Sequence, residues 1–104
     1  MFIVLLRFSG NRHQAGEFMA GHMDWIQRGI DEGVFLVVGS LQPNLGGGIL
    51  AHNTLLPDLQ HRVNEDPFVA GDVVTAEILE ITPARVDERL AFLLGTEQAT
   101  VPHS

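Results

Sequence analysis

Phe2-Ile3-Val4-Leu5-Leu6-Arg7-Phe8 is a run of strand-forming residues with almost no polar alternation, the pattern of a strand inside a sheet with both faces covered. Ser9-Gly10-Asn11 breaks the run and offers helix-capping side chains. Beyond it Ala15, Phe18, Met19, Met23, Ile26 and Ile30 recur at spacings of three and four, which predicts one amphipathic helix. Gly33 closes that helix, because a glycine readily takes the left-handed conformation found just past a helix end.

A second apolar run follows over Val34–Leu41, then the breaker stretch from Gln42 to Gly47, and a third strand from Gly48 to His52. The two strands read as a hairpin. Asn53 or Thr54 is placed to cap a second helix whose buried stripe is Leu55, Leu56, Leu59 and Val63, with Pro57 tolerated in the first turn. Asp66-Pro67 stops it, since the residue before a proline is pushed into extended conformation. Val73–Thr82 is the fourth strand, Pro83 ends it, and Val86, Leu90, Phe92 and Leu93 suggest a short C-terminal helix before a tail. The domain is expected over residues 1–95, with the tail at 96–104.

The order β-α-β-β-α-β, with an added C-terminal helix, predicts an α+β fold of the ferredoxin-like kind, two helices covering one face of an antiparallel sheet. Strands one and two are apolar on both sides, yet the chain has no further layer for the second face. A second copy supplies that layer, giving a dimeric α/β barrel with a substrate-sized cleft between sheet and helices.

Bulk properties bound the function. The chain has 104 residues, the size of one domain, and 45% hydrophobic residues, ordinary for a globular protein. A formal charge of −7 with scattered basic residues argues against nucleic acid and anionic membrane surfaces as partners. No apolar run reaches the ~18 residues that span a bilayer. The absence of cysteine removes disulfides, thiolate nucleophiles and cysteine metal sites, and makes a cytoplasmic setting the default expectation.

His22 is the first candidate for chemistry. It lies four residues after Phe18 and four before Ile26, so it points toward the sheet, where a histidine with a partner can exchange a proton near neutral pH. The same position also suits a core histidine satisfied by a backbone carbonyl. Asp66 is the second candidate, a carboxylate fixed at a helix exit where it can orient and charge-stabilise His22; a plain turn aspartate is the competing reading. Gly39-Ser40 ends the second strand, where a small residue admits close backbone approach and a hydroxyl can anchor a polar group. Gly46-Gly47-Gly48 lacks the strand-then-helix context of a phosphate loop and reads as a hairpin tip. Trp25 falls off the expected stripe of helix one, where a dimer or cleft rim is one reading and a partly buried packing role the favoured one. His13, His52, His61 and His103 show no ligand spacing, so neither a metal nor any other cofactor is expected.

Taken together, Phe2-Ile3-Val4-Leu5-Leu6, His22, the segment from Gly33 to Gly39-Ser40, Gly48, and Asp66-Pro67-Phe68-Val69-Ala70-Gly71 resemble the YciI-like (YCII-related) family of the dimeric α/β barrel superfamily. The resemblance covers about residues 1 to 82. It implies a ferredoxin-like protomer, a homodimer, and a His-Asp acid/base site formed by His22 and Asp66, with Gly39, Ser40, Pro67 and Phe68 as substrate-binding candidates. A dehydrochlorinase is counted among the family, and a muconolactone isomerase among the wider superfamily, so elimination or isomerisation of a small organic molecule is the implied chemistry. Met19 departs from the pattern, standing where many members carry an arginine three residues before the histidine. A non-catalytic homodimer that binds a small ligand or a partner is the alternative reading.

Overall fold

β1 (Phe2–Phe8) runs between β3 (Gly46–Ala51) and β4 (Val74–Glu80) in a four-stranded antiparallel sheet of order β2-β3-β1-β4, with β2 (Phe35–Leu41) on the far edge. The computed structural model describes residues 1–94. This is the expected ferredoxin-like α+β protomer, completed by helices α1 (Ala15–Asp31), α2 (Leu56–Asn64) and the single turn α3 (Pro67–Ala70).

The register sorts the two faces of the sheet. Phe2, Val4 and Leu6 are buried on the helix side, beside Ala51, Ile49 and Gly47 of β3 and Glu80, Ile78 and Ala76 of β4. Ile3 and Leu5 point the other way, beside Leu50, Gly48, Leu79 and Glu77, and in this single chain they are only half-buried. The expectation of a strand covered on both faces is thus met on one face, which leaves an open apolar face on the protomer.

α1 starts for a different reason than the capping residues before it suggest, and ends as expected. Its N-cap is Gln14, with no side-chain bond, after a single 3-10 turn at Arg12–Gln14. Ser9 does not cap it. The Ser9 hydroxyl instead bonds the carbonyls of Asp72 at 2.5 Å and Val73 at 3.0 Å, stitching the end of β1 to the start of β4. At the other end Gly33 has φ +76°, the Gly33 N–H donates to the Ile30 carbonyl and the Val34 N–H to the Gly29 carbonyl, both at 3.0 Å. That paired closure is the glycine stop the sequence predicts.

The inner face of α1 keeps Ala15, Phe18 and Ile26 of the predicted stripe, all packed against the core, and departs from it elsewhere. Met19, Met23 and Ile30 are 43%, 54% and 45% exposed, whereas Trp25 and Gly29 are buried, so Phe18, His22, Trp25 and Gly29 form the inner face. Trp25 is a core residue rather than a rim residue: its ring meets Phe35 edge-on at 5.1 Å, and its Nε1–H donates to the Arg62 carbonyl at 2.9 Å, tying α1 to α2. In α2 the inner residues are Leu59 and Val63, each burial stabilising by about 1.5–3 kcal/mol. Leu55 leaves the predicted stripe, being its exposed N-cap, and neither Asn53 nor Thr54 caps the helix. The C-terminal segment forms a 3-10 turn at Glu88–Leu90 and then helical residues 92–94, where the described residues end; the tail at 96–104 lies outside them.

Candidate active site

Asp66 is extended, with φ −63° and ψ 124°, as the following proline demands. It is more than a helix exit. Its carboxylate caps α3, Oδ1 accepting from the Phe68 N–H at 3.0 Å, and the residue is completely buried. An isolated buried carboxylate is costly, and it needs donors from outside its own turn.

α1 brings that donor. Gly21 leaves room for Pro67, since a Cβ there would stand 3.0 Å from the Pro67 Cγ, and Gly71 similarly receives the Phe18 ring, which a Cβ would meet at 2.7 Å. With α3 seated this closely, the next residue of α1, His22, places Nδ1 2.7 Å from Asp66 Oδ1. The imidazole keeps 12% of its side-chain surface exposed. It lies flat on the Phe68 ring, centroids 3.8 Å apart and planes 2° apart, with Trp25 stacked more loosely at 6.0 Å. A carboxylate accepts and does not donate, so a neutral imidazole in this contact carries its proton on Nδ1 and its lone pair on Nε2. Such an imidazole can take a proton at Nε2 while Asp66 stabilises the resulting cation.

Two of the sequence candidates therefore meet, and two more support them: Pro67 docks α3 on α1, and Phe68 packs on the imidazole. Gly39 and Ser40 lie on β2, paired with Gly48 and Gly47 of β3. Two residues on from the inward-facing Val38, Ser40 shares the helix side of the sheet, but no hydrogen bond joins it to His22 or Asp66 among the described residues. Cavities of about 550, 410 and 230 Å³ are lined by other residues, and none of the three includes His22, Asp66 or Ser40. The described residues contain no cluster of three or more potential metal ligands, and no helix among them is long and apolar enough to cross a membrane. Sequence reasoning did not find Gly21, Trp25 or Gly71 as parts of this site; the one available signal was glycine within a helix and at a helix end, which marks close approach.

The chain matches no family model, and no curated protein resembles it in sequence. Among solved structures it is similar to 5-chloro-2-hydroxyhydroquinone dehydrochlorinase (TftG) from Burkholderia phenoliruptrix AC1100, in complex with 2,5-dihydroxybenzoquinone, with a TM-score of 0.65 over 86% of this chain and 98% of that one. At 12% identity the likeness establishes a shared fold.

Proposed function

We propose that this protein is a cofactor-independent enzyme of the YciI-like kind, which moves a proton on a small organic substrate by elimination or isomerisation. The observation that carries the reading is the 2.7 Å contact between His22 Nδ1 and a completely buried Asp66. Nε2 of His22 takes a proton from a carbon next to a carbonyl or enol. The electron pair of the broken C–H bond then forms a C=C bond, either expelling a leaving group on the neighbouring carbon or shifting the double bond; the imidazolium then releases its proton to solvent in the first case and returns it to the substrate, at the far carbon, in the second. Asp66 holds the ring and stabilises its charge, and Ser40, on the same side of the sheet, anchors a polar substituent. The structural neighbour, named for the loss of chloride from a hydroxylated ring, makes 5-chloro-2-hydroxyhydroquinone the first compound to test. The His22→Asn variant is expected to remain folded and to lose about 10²–10⁴-fold in kcat/KM on whichever substrate is turned over. Full turnover by that variant would remove His22 from the mechanism.

A homodimer belongs to this reading. Ile3, Leu5, Val37, Leu50 and Leu79 share the open face of the sheet, and a second copy of the chain would bury them.

A second reading is favoured by one observation, that none of the three cavities touches His22. In it the pair is a buried hydrogen-bonded tie in a non-catalytic ligand-binding dimer. His22→Asn would then lower the melting temperature, and no substrate of the wild-type protein would be found.

A further inference from the structure

Phe68 touches both members of the pair in different ways. Its backbone N–H donates to Asp66 Oδ1 at 3.0 Å, the same oxygen that His22 meets at 2.7 Å. Its ring is stacked on the imidazole, centroids 3.8 Å apart and planes within 2° of parallel, and the residue is only 5% exposed. These constraints are complementary. A single hydrogen bond at Nδ1 fixes one line through the imidazole but leaves the ring free to turn about that line. A flat aromatic neighbour in van der Waals contact removes that turn, because rotation would drive the ring edge into the phenyl face. Line and plane together set the direction of Nε2.

We propose that Phe68 is the positioning residue of the His22–Asp66 pair: its main chain fixes the accepting oxygen and its ring fixes the imidazole plane, so that one residue determines which nitrogen carries the proton and where the other points. The tight seat of Pro67 on Gly21 keeps this arrangement in register, since Phe68 is carried on the same turn. The consequence for catalysis rests on the acid/base reading above, whereas the geometric claim stands without it. Phe68 is then a support beneath the imidazole rather than a wall of the substrate cleft.

The test is nitrogen-15 NMR of the His22 ring, which distinguishes the two neutral tautomers and needs no substrate. The wild-type protein is expected to show one tautomer, Nδ1–H, with a slowly exchanging downfield proton. Its carbon-bound ring protons should be shifted upfield by the Phe68 ring current. Phe68→Leu, close in volume but without an aromatic face, is expected to give averaged tautomer signals and a broadened or lost Nδ1 proton, and Phe68→Tyr to restore both. On a substrate, Phe68→Leu should lower kcat with little change in KM, the opposite of losing a binding contact. A Phe68→Leu protein that keeps the wild-type tautomer and its downfield proton would overturn the proposal. Should that variant not fold, the unmodified protein decides: absence of the upfield ring-current shift overturns it equally. A Phe68-dependent tautomer in a protein whose turnover ignores His22→Asn would uphold this inference while ending the acid/base reading.

Discussion

Asp66 bears two donors on Oδ1 while Oδ2, equally buried, has no hydrogen-bond partner among the described residues. The side chain is therefore held from one oxygen, and its two roles can be separated by substitution. Asn retains an oxygen for the Phe68 N–H and the His22 Nδ1–H but removes the charge. Ala removes the acceptor, with the loss of a helix cap worth roughly 1 kcal/mol and of a second bond to His22 worth about as much again. Asp66→Ala is thus expected to destabilise the protein by about 2 kcal/mol or more, and Asp66→Asn by clearly less, while both depress turnover. Denaturant titration of the two variants measures this; equal losses in the two, both of which lack the charge, would show that charge, not the cap, holds the turn. At this scale the sequence was partly legible. The Asp-Pro step forces Asp66 into extended backbone and so reveals where its carboxylate emerges, but a ring stack between residues distant in the chain leaves no local pattern, so the part played by Phe68 was hidden.

Among the secondary-structure elements, α1 shows how a correct helix can carry a partly displaced face. Residues 19, 23, 26 and 30 and residues 18, 22, 25 and 29 both follow the same three-and-four spacing, on adjacent stripes. The first is more apolar by composition, yet of it only Ile26 packs against the core, and the second is the one turned fully inward, because it includes a histidine with a buried partner, a tryptophan whose N–H is satisfied by Arg62, and a glycine. Gly29 decides the matter sterically: a Cβ there would stand 2.2 Å from the Phe35 ring, so the helix can approach β2 only with a hydrogen at that position. Gly29→Ala is accordingly expected to cost about 1–3 kcal/mol through overpacking, despite the better helix propensity of alanine, and thermal unfolding reads this directly. A neutral or stabilising result would mean that α1 sits farther from the sheet than the structure places it. The strands fared better, because long apolar runs bounded by glycine and proline leave few alternatives. In the C-terminal segment Asp87 caps the 3-10 turn, accepting from the Arg89 N–H and side chain, contacts that hold its carboxyl below the usual range.

For the whole molecule, one sheet face is covered by helices and the other exposes an apolar field, Val37 at 58% and Leu79 at 43% exposure, crossed at one side by the Arg7–Glu77 pair at 2.6 Å. A dimer at micromolar concentration is expected in sedimentation, and Leu5→Glu, which sets a charge at the centre of that field, is expected to yield folded monomer. A wild-type monomer would refute the face-to-face pairing. The expectation comes from the sequence, where doubly apolar strands call for two covers, and the described residues supply one. The protein also contains a single tryptophan, and the fold has placed it 2% exposed, in the core and 6.0 Å from the His22 ring. Its emission is therefore an optical reporter of the site: without label or dye, one fluorescence signal follows both the unfolding of the core and any molecule that alters the charge or packing of the neighbouring imidazole.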